Sequence, residues 1–283
     1  GALDDTLSGI WNGTVDDIRV YSRALTATEV RQIYNQGVSK VNISPTRGMN
    51  GQGLNAGLVG YWTFDGKDTN WVTGVTLDKS GNNNNGQMIS MSTSTSPVPG
   101  KLGQGLKFDG VNDTVNLGTP ASLDVSSTNQ LTISAWIKPA GAIKKVIFSR
   151  GGTFSSATSE SYMLSIHNSY SDRLAATVSN GTTLLALNSG VGTISNNIWQ
   201  HIVMVWNGNT QALCLYKNGS LLGTCETTSD FAIQSGSGAT ANVAIGKDAR
   251  NSRYFFGGSL DDVRVYSRAL SATEIRQLYN MGK

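Results

Sequence analysis

The chain is predicted to be all-β, a two-sheet antiparallel jelly-roll sandwich with a short C-terminal helix, and three observations carry that prediction. Short apolar runs with period-two alternation recur from residue 57 onward, the pattern of strands that bury one face. Glycine is abundant, at 33 residues, with Asn, Ser and Thr frequent between the runs; these residues supply the many tight turns a sandwich needs. The last stretch changes period, where Ile275, Leu278 and Tyr279 fall at the three-and-four spacing of one helix face.

Two distant segments are almost the same sequence. Gly13 to Gly37 reads GTVDDIRVYSRALTATEVRQIYNQG and Gly258 to Gly282 reads GSLDDVRVYSRALSATEIRQLYNMG, a constant offset of 245. A period that long is a whole domain and not a solenoid unit. Residues 1–37 therefore read as the closing strand (Asp16 to Tyr21) and helix of a preceding repeat. Residues 38–56, with Pro45, several glycines and weak periodicity, read as a linker, and 57–283 as one complete domain.

Within that domain the expected strands run in order. Leu58 to Phe64, Gly105 to Phe108, Thr114 to Leu117, Leu131 to Lys138, Val146 to Arg150 and Tyr162 to His167 form the first half. Leu174 to Ser179, Thr183 to Asn188, Trp199 to Trp206, Ala212 to Lys217, Ser220 to Thr224, Asn242 to Ile245 and Leu260 to Tyr266 form the second. So many short strands exceed a small immunoglobulin-type domain and suit a larger jelly roll. Ser271 followed three residues later by Glu274 predicts a capping box for the final helix, as Thr26 with Glu29 does in the first copy, and Gly282 or Gly37 stops each.

Composition excludes some functions. The net charge of +3 comes without a dense Lys/Arg cluster, so the concentrated basic footprint of a nucleic-acid binder is missing. No apolar run is long enough to span a membrane. Cys214 and Cys225 flank an Asn-Gly hairpin turn, Lys217 to Ser220. Pairing Lys217 with Ser220 sets Cys225 diagonal to Cys214 at about 7 Å, beyond disulfide reach unless a bulge or one-residue adjustment intervenes. A disulfide and an oxidising compartment are expected, the alternative being two buried reduced thiols.

The segments GLVGYWTFDG, DKSGNNNNGQM, KLGQGLKFDGVNDTVNLG, LTISAWIKP, WQHIVMVWNGNTQALCLYKNGSLLG and GSLDDVRVYSRALSATEIRQLYN, in that order, resemble the laminin-G-like jelly-roll domains of the concanavalin A-like lectin/glucanase superfamily. The resemblance implies a structural calcium where the first and last strands meet, held by Asp65, Asp261 and Asp262, with Asp78 a further ligand position. Calcium wants several carboxylate and carbonyl oxygens, which an Asn/Gly-rich loop can aim inward. Adjacent strand residues face opposite sides, so only one of Asp261 and Asp262 is expected at a given site. The competing reading is that these acids cap turns and pair with Arg264 or Arg268.

No catalytic residues are expected. Retaining glycosidases need two carboxyls about 5 Å apart, whereas Glu160, Asp172, Glu226 and Asp230 are isolated in sequence. The resemblance implies that His201 lies in a packed strand, and His167 with Tyr170 and Arg173 makes only a weak lyase-like set. Sugars instead stack on aromatic rings flanked by polar groups. Trp71, Tyr170 and Tyr254 lie in polar loops near Asp172, Arg250 and Arg253, and these are the candidate ligand residues. The expected protein is a non-catalytic carbohydrate-binding module of a larger extracellular or cell-surface polypeptide, with a glycan and neighbouring repeats as partners. A polysaccharide hydrolase or lyase on the same fold, or a structural adhesion spacer, is the alternative.

Overall fold

A computed structural model describes residues 18–27, 29–30, 33, 53–141, 145–152, 159–167, 172–235, 241–251 and 253–283. Gly1–Ile43 and Ser44–Lys283 form two compact units. In the first, residues 18–21 are irregular where the strand Asp16 to Tyr21 is expected; Asp16 and Asp17 lie outside the described residues. The helix start does form as expected: the Glu29 amide donates to Thr26 Oγ1 at 3.3 Å and the Thr26 amide to Glu29 Oε2 at 2.8 Å.

The second unit is a β-sandwich. Its strands begin with β1 (Leu58–Trp62), β2 (Thr69–Asn70), β3 (Val75–Thr76), β4 (Gly86–Ile89), β5 (Pro97–Pro99), β6 (Gln104–Asp109) and β7 (Thr114–Gly118). They continue with β8 (Gln130–Pro139), β9 (Lys145–Gly151), β10 (Glu160–His167), β11 (Arg173–Ser179), β12 (Leu184–Asn188) and β13 (Gln200–Asn207). The last are β14 (Ala212–Lys217), β15 (Ser220–Leu221), β16 (Glu226–Thr227), β17 (Asn242–Ile245) and β18 (Gly257–Tyr266), followed by helix α1 (Ala272–Met281). One sheet runs β15-β14-β13-β8-β18-β6-β5, with β1 also on β18 and β16 on β14; the other runs β12-β11-β10-β9-β17-β7-β4-β3-β2. Every pairing is antiparallel, and β18 lies between β8 and β6, where its sequence neighbour β17 belongs to the other sheet. That crossing is what a jelly roll requires.

Alternation explains the core. Ile133, Ala135 and Ile137 of β8, Ile202, Met204 and Trp206 of β13, and Tyr162, Leu164 and Ile166 of β10 all join one buried cluster between the sheets. Trp62 and Phe148 meet across it, their rings 6.1 Å apart. The opposite face of the first sheet carries a second cluster, in which Val203, Val205 and Tyr266 pack against Ile275 and Leu278 of α1. The predicted capping box holds α1, Ser271 Oγ accepting from the Glu274 amide and Glu274 accepting from the Ser271 amide.

The cysteines are joined, with Cα atoms 4.4 Å apart. The register shows how: β14 meets β15 as Tyr216↔Leu221, but meets β16 as Leu213↔Glu226. Two extra residues on the return strand, beside Gly223 at φ +63°, move Cys225 from diagonal to opposite Cys214. The strand expected over Ser220 to Thr224 therefore stops at Leu221. Strands β2 to β5 and β16 are too short to leave a period in the sequence, and Leu58 to Phe64 ends at Trp62 because Phe64 turns to φ +58°.

Candidate functional site

The β2–β3 hairpin presents Trp71. Asn70 Oδ1 accepts the Val72 and Thr73 amides at 3.0 and 3.1 Å, a side-chain-closed turn of the kind Asn favours. Trp71 is half-buried and rests on the main core. Around it lies an open depression of about 640 Å³ formed by the 66–77 segment, with Lys67, Asp68, Thr69, Asn70 and Thr73 as its polar groups. Asp68 is held by Lys79 at 3.1 Å and by the Thr63 hydroxyl at 2.8 Å.

The other expected ligand residues are elsewhere. The Tyr254 carbonyl accepts the Val146 amide at 3.0 Å, at the start of β9, and the residue is 39% exposed. Asp172 borders the same strand end, its charge favouring the ammonium of Lys145 against the burial that lowers that lysine's pKa. Arg253 is exposed nearby in sequence, whereas Tyr170 falls outside the described residues. Between β3 and β9 stand β4, β7 and β17, so four strand spacings, about 19 Å, separate the Trp71 hairpin from this group. The candidates thus divide into two places.

Arg250 is not available as a ligand donor. Its guanidinium is buried and bonds Asp248 Oδ2 at 2.8 Å and Glu160 Oε2 at 3.0 Å. Glu160 also accepts from the Thr177 hydroxyl. Sequence reasoning passes over Asp248; its one legible signal is the Asp-x-Arg spacing at the end of β17. Glu160 opens β10 and Asp172 precedes β11, whose first residue Arg173 lies opposite His167 at the far end of β10. A full strand length, about 24 Å, separates the two acids, far beyond either glycosidase geometry.

The four acids expected at calcium do not converge. Asp78 is a loop organiser: Oδ1 accepts the Tyr61 and Ser80 amides at 2.9 and 2.8 Å, and Oδ2 the Asn84 amide at 2.9 Å and the Ser80 hydroxyl at 2.8 Å. Asp262 pairs with buried Arg264 at 3.0 Å, the guanidinium in turn lying 4.2 Å from the Tyr61 ring centre. Adjacency does not separate Asp261 from Asp262 as in a regular strand, because β18 bulges there. Asp261 pairs with Trp136 but Arg264 with Ser134, one residue too many, and Asp262 takes φ +50°.

Asp261 and Asp65 do approach one another, at the turn before β6. Asp261 Oδ2 accepts the Lys101 and Leu102 amides at 2.7 Å each, and Asp65 Oδ1 accepts the Gln104 amide at 2.9 Å. A Cβ on Gly100 would lie 2.6 Å from Asp261 Oδ2, and one on Gly103 2.2 Å from Asp65 Oδ1. Asp261 Oδ1 is buried without a partner among the described residues. Burial first, then Asp262, and more weakly Asp65, push its carboxyl up to about 8. Among the described residues no three acidic, His or Cys side chains gather as a metal cluster.

Residues 109–276 match the laminin G 3 family of the Concanavalin A-like lectin/glucanases superfamily. The chain belongs to that superfamily. This lectin-like sandwich is also similar to solved structures, each at an identity that speaks to the fold alone. The CBM40 of a Ruminococcus gnavus IT-sialidase, solved with α2,3-sialyllactose, is 20% identical at TM-score 0.53, over 62% of this chain and 96% of that one. Domain 4 of AbnA, a GH43 extracellular arabinanase of Geobacillus stearothermophilus solved with arabinotriose, is 19% identical at TM-score 0.56, over 79% and 98%. The binding domain of Paraclostridial Mosquitocidal Protein 1 is 18% identical at TM-score 0.59, over 79% and 52%. No curated protein matches the chain.

Proposed function

We propose that the sandwich is a non-catalytic carbohydrate-binding module and that its sugar site is the depression around Trp71. The observation that carries this reading is an aromatic ring held by a closed turn in an open hollow with Lys67, Asp68, Thr69 and Asn70 beside it, the apolar platform with few polar groups that sugars use. Relatives of the same fold solved with sialyllactose and arabinotriose support the ligand class. The non-catalytic reading rests on Glu160, whose charge is spent on Arg250, and on its distance from Asp172. The disulfide supports an extracellular or cell-surface setting, and no described helix is long and apolar enough to cross a membrane.

Affinity electrophoresis through a panel of polysaccharides tests the site. Trp71→Ala is expected to abolish retardation, with a modest fall in melting temperature because the ring also packs on the core. Tyr254→Gly is expected to leave retardation intact, because Tyr254 sits at the β9 end, about four strand spacings from the Trp71 hollow. Retardation lost in Tyr254→Gly and kept in Trp71→Ala moves the site to the β9 end.

Calcium belongs to the same proposal, with Asp261 and Asp65 as its carboxylate ligands. The buried, partnerless Asp261 Oδ1 is the group a cation would satisfy, and the 100–104 turn brings carbonyl-bearing backbone beside it. When bound, the ion would tie the last strand to that turn. Millimolar calcium is expected to raise the melting temperature by an amount that grows with concentration, and Asp261→Asn to remove the response; an equal response in both proteins refutes the assignment.

A further inference from the structure

Side chains far apart in the sequence form one row on the outer face of the first sheet. The register sets Ser259 of β18 opposite Lys107 of β6 on one side and Lys138 of β8 on the other. Trp199 immediately precedes β13, and the pairing of Gln200 with Ile137, carried back one residue, sets it beside Lys138. Leu106, Leu260, Ile137 and Ile202 belong to the core between the sheets, so alternation turns Lys107, Ser259, Lys138 and Trp199 outward. Helix α1 leaves this row open. It packs further along the same strands, on Val203, Val205 and Tyr266, and its Tyr279 meets the Trp136 and His201 rings. Lys107 is exposed, and Lys138, Ser259 and Trp199 are half-buried.

The row is cationic, and no acid compensates it. Among the described residues neither Lys107 nor Lys138 forms an ion pair, and the Ser259 hydroxyl makes no hydrogen bond. The acids of the four strands are Asp109, Asp261 and Asp262. Asp109 Oδ1 accepts the Val111, Asn112 and Asp113 amides, Asp261 Oδ2 the Lys101 and Leu102 amides, and Asp262 pairs with Arg264. Lys101 adds another ammonium, 5.1 Å from the Trp136 ring centre. Cross-strand neighbours stand about 5 Å apart, so Lys107 and Lys138 are about 10 Å apart with the short serine between them. Two flexible stems of that length reach a single anion held over the hydroxyl.

The geometry points to a second ligand site, a seat for an acidic polysaccharide. A carboxylate or sulfate sits over Ser259 between the two ammoniums, and a neighbouring sugar ring lies on Trp199. A short line of lysines falls far below the phosphate footprint that nucleic acid needs. The row is on the first sheet and the Trp71 hairpin on the edge of the second, so the two sites succeed or fail separately.

Neutral polysaccharides report the Trp71 hollow; the probes for the row are polygalacturonate and dextran sulfate, with fully methyl-esterified polygalacturonate as the uncharged control. Titration calorimetry is run with chelator present, so that calcium cannot bridge carboxylates. The protein is expected to bind at least one acidic probe, which names the anion, and to ignore the ester. Lys107→Gln and Lys138→Gln are each expected to weaken that binding about tenfold at unchanged melting temperature. Lys247→Gln removes the same charge beside β9 of the other sheet and is expected to have little effect, as is Trp71→Ala. Binding of neither acidic probe, equal binding of the ester, or equal losses in Lys107→Gln and Lys247→Gln overturns the proposal. Tighter binding of single-stranded DNA than of either acidic probe also overturns it and assigns the row to nucleic acid.

Discussion

Arg250→Ala is expected to lower the stability of the sandwich by about 3–5 kcal/mol. The guanidinium is the shared cation of two buried carboxylates, Asp248 and Glu160, at 2.8 and 3.0 Å. Removing it strands two negative charges away from water, and the uncompensated charge costs more than the pair contributed. Urea unfolding measures the loss as a fall in midpoint at unchanged slope. Adding Glu160→Gln to Arg250→Ala is expected to recover part of it, because one stranded charge is gone. Lost polysaccharide retention at unchanged stability would return Arg250 to the ligand surface.

Acid is expected to unfold the protein partly through His201. The ring is 1% exposed, with Nε2 2.8 Å from Ser134 Oγ and its face against Trp136 and Tyr279. Its pKa falls from 6.5 to about 4; burial is the main cause, with Asp262 opposing and Arg264 adding to it. In the unfolded chain the imidazole takes its proton near 6.5, in the folded chain only near 4. The contribution is therefore complete above about pH 6.5 and is lost as pH falls toward 4, about 3 kcal/mol in all. Carboxylates titrate in the lower part of that window, so the comparison is with His201→Gln, which offers Ser134 an amide and takes no proton. The parent is expected to lose about 3 kcal/mol more than the variant between pH 7 and 4; parallel curves would show that the ring does not couple folding to pH.

Regular elements were legible because they repeat. β8, β13 and α1 each extend over several alternations or turns, enough for a period to show against chance, and the Ser271–Glu274 cap marked the helix start. β2, β3 and β16 have two residues each, and no period exists in two residues; they form because neighbouring strands offer them partners. The candidate site was legible in part. Loop aromatics flagged Trp71 and Tyr254, but whether a loop arginine is free or buried depends on acids distant in sequence, and Glu160 lies 90 residues before Arg250.

Sequence alone determined the sandwich class, its terminal helix and the near-repetition of the closing sequence at residues 13–37, since all three are local or repeated patterns. Tertiary structure decided which groups meet. The bulge at Asp262 set Asp261 against the 100–104 turn, two extra residues brought Cys225 opposite Cys214, and strand order placed Trp71 and Tyr254 apart. The reason is physical: backbone period is a property of neighbours along the chain, whereas charge compensation, register and burial are properties of neighbours across the sheets.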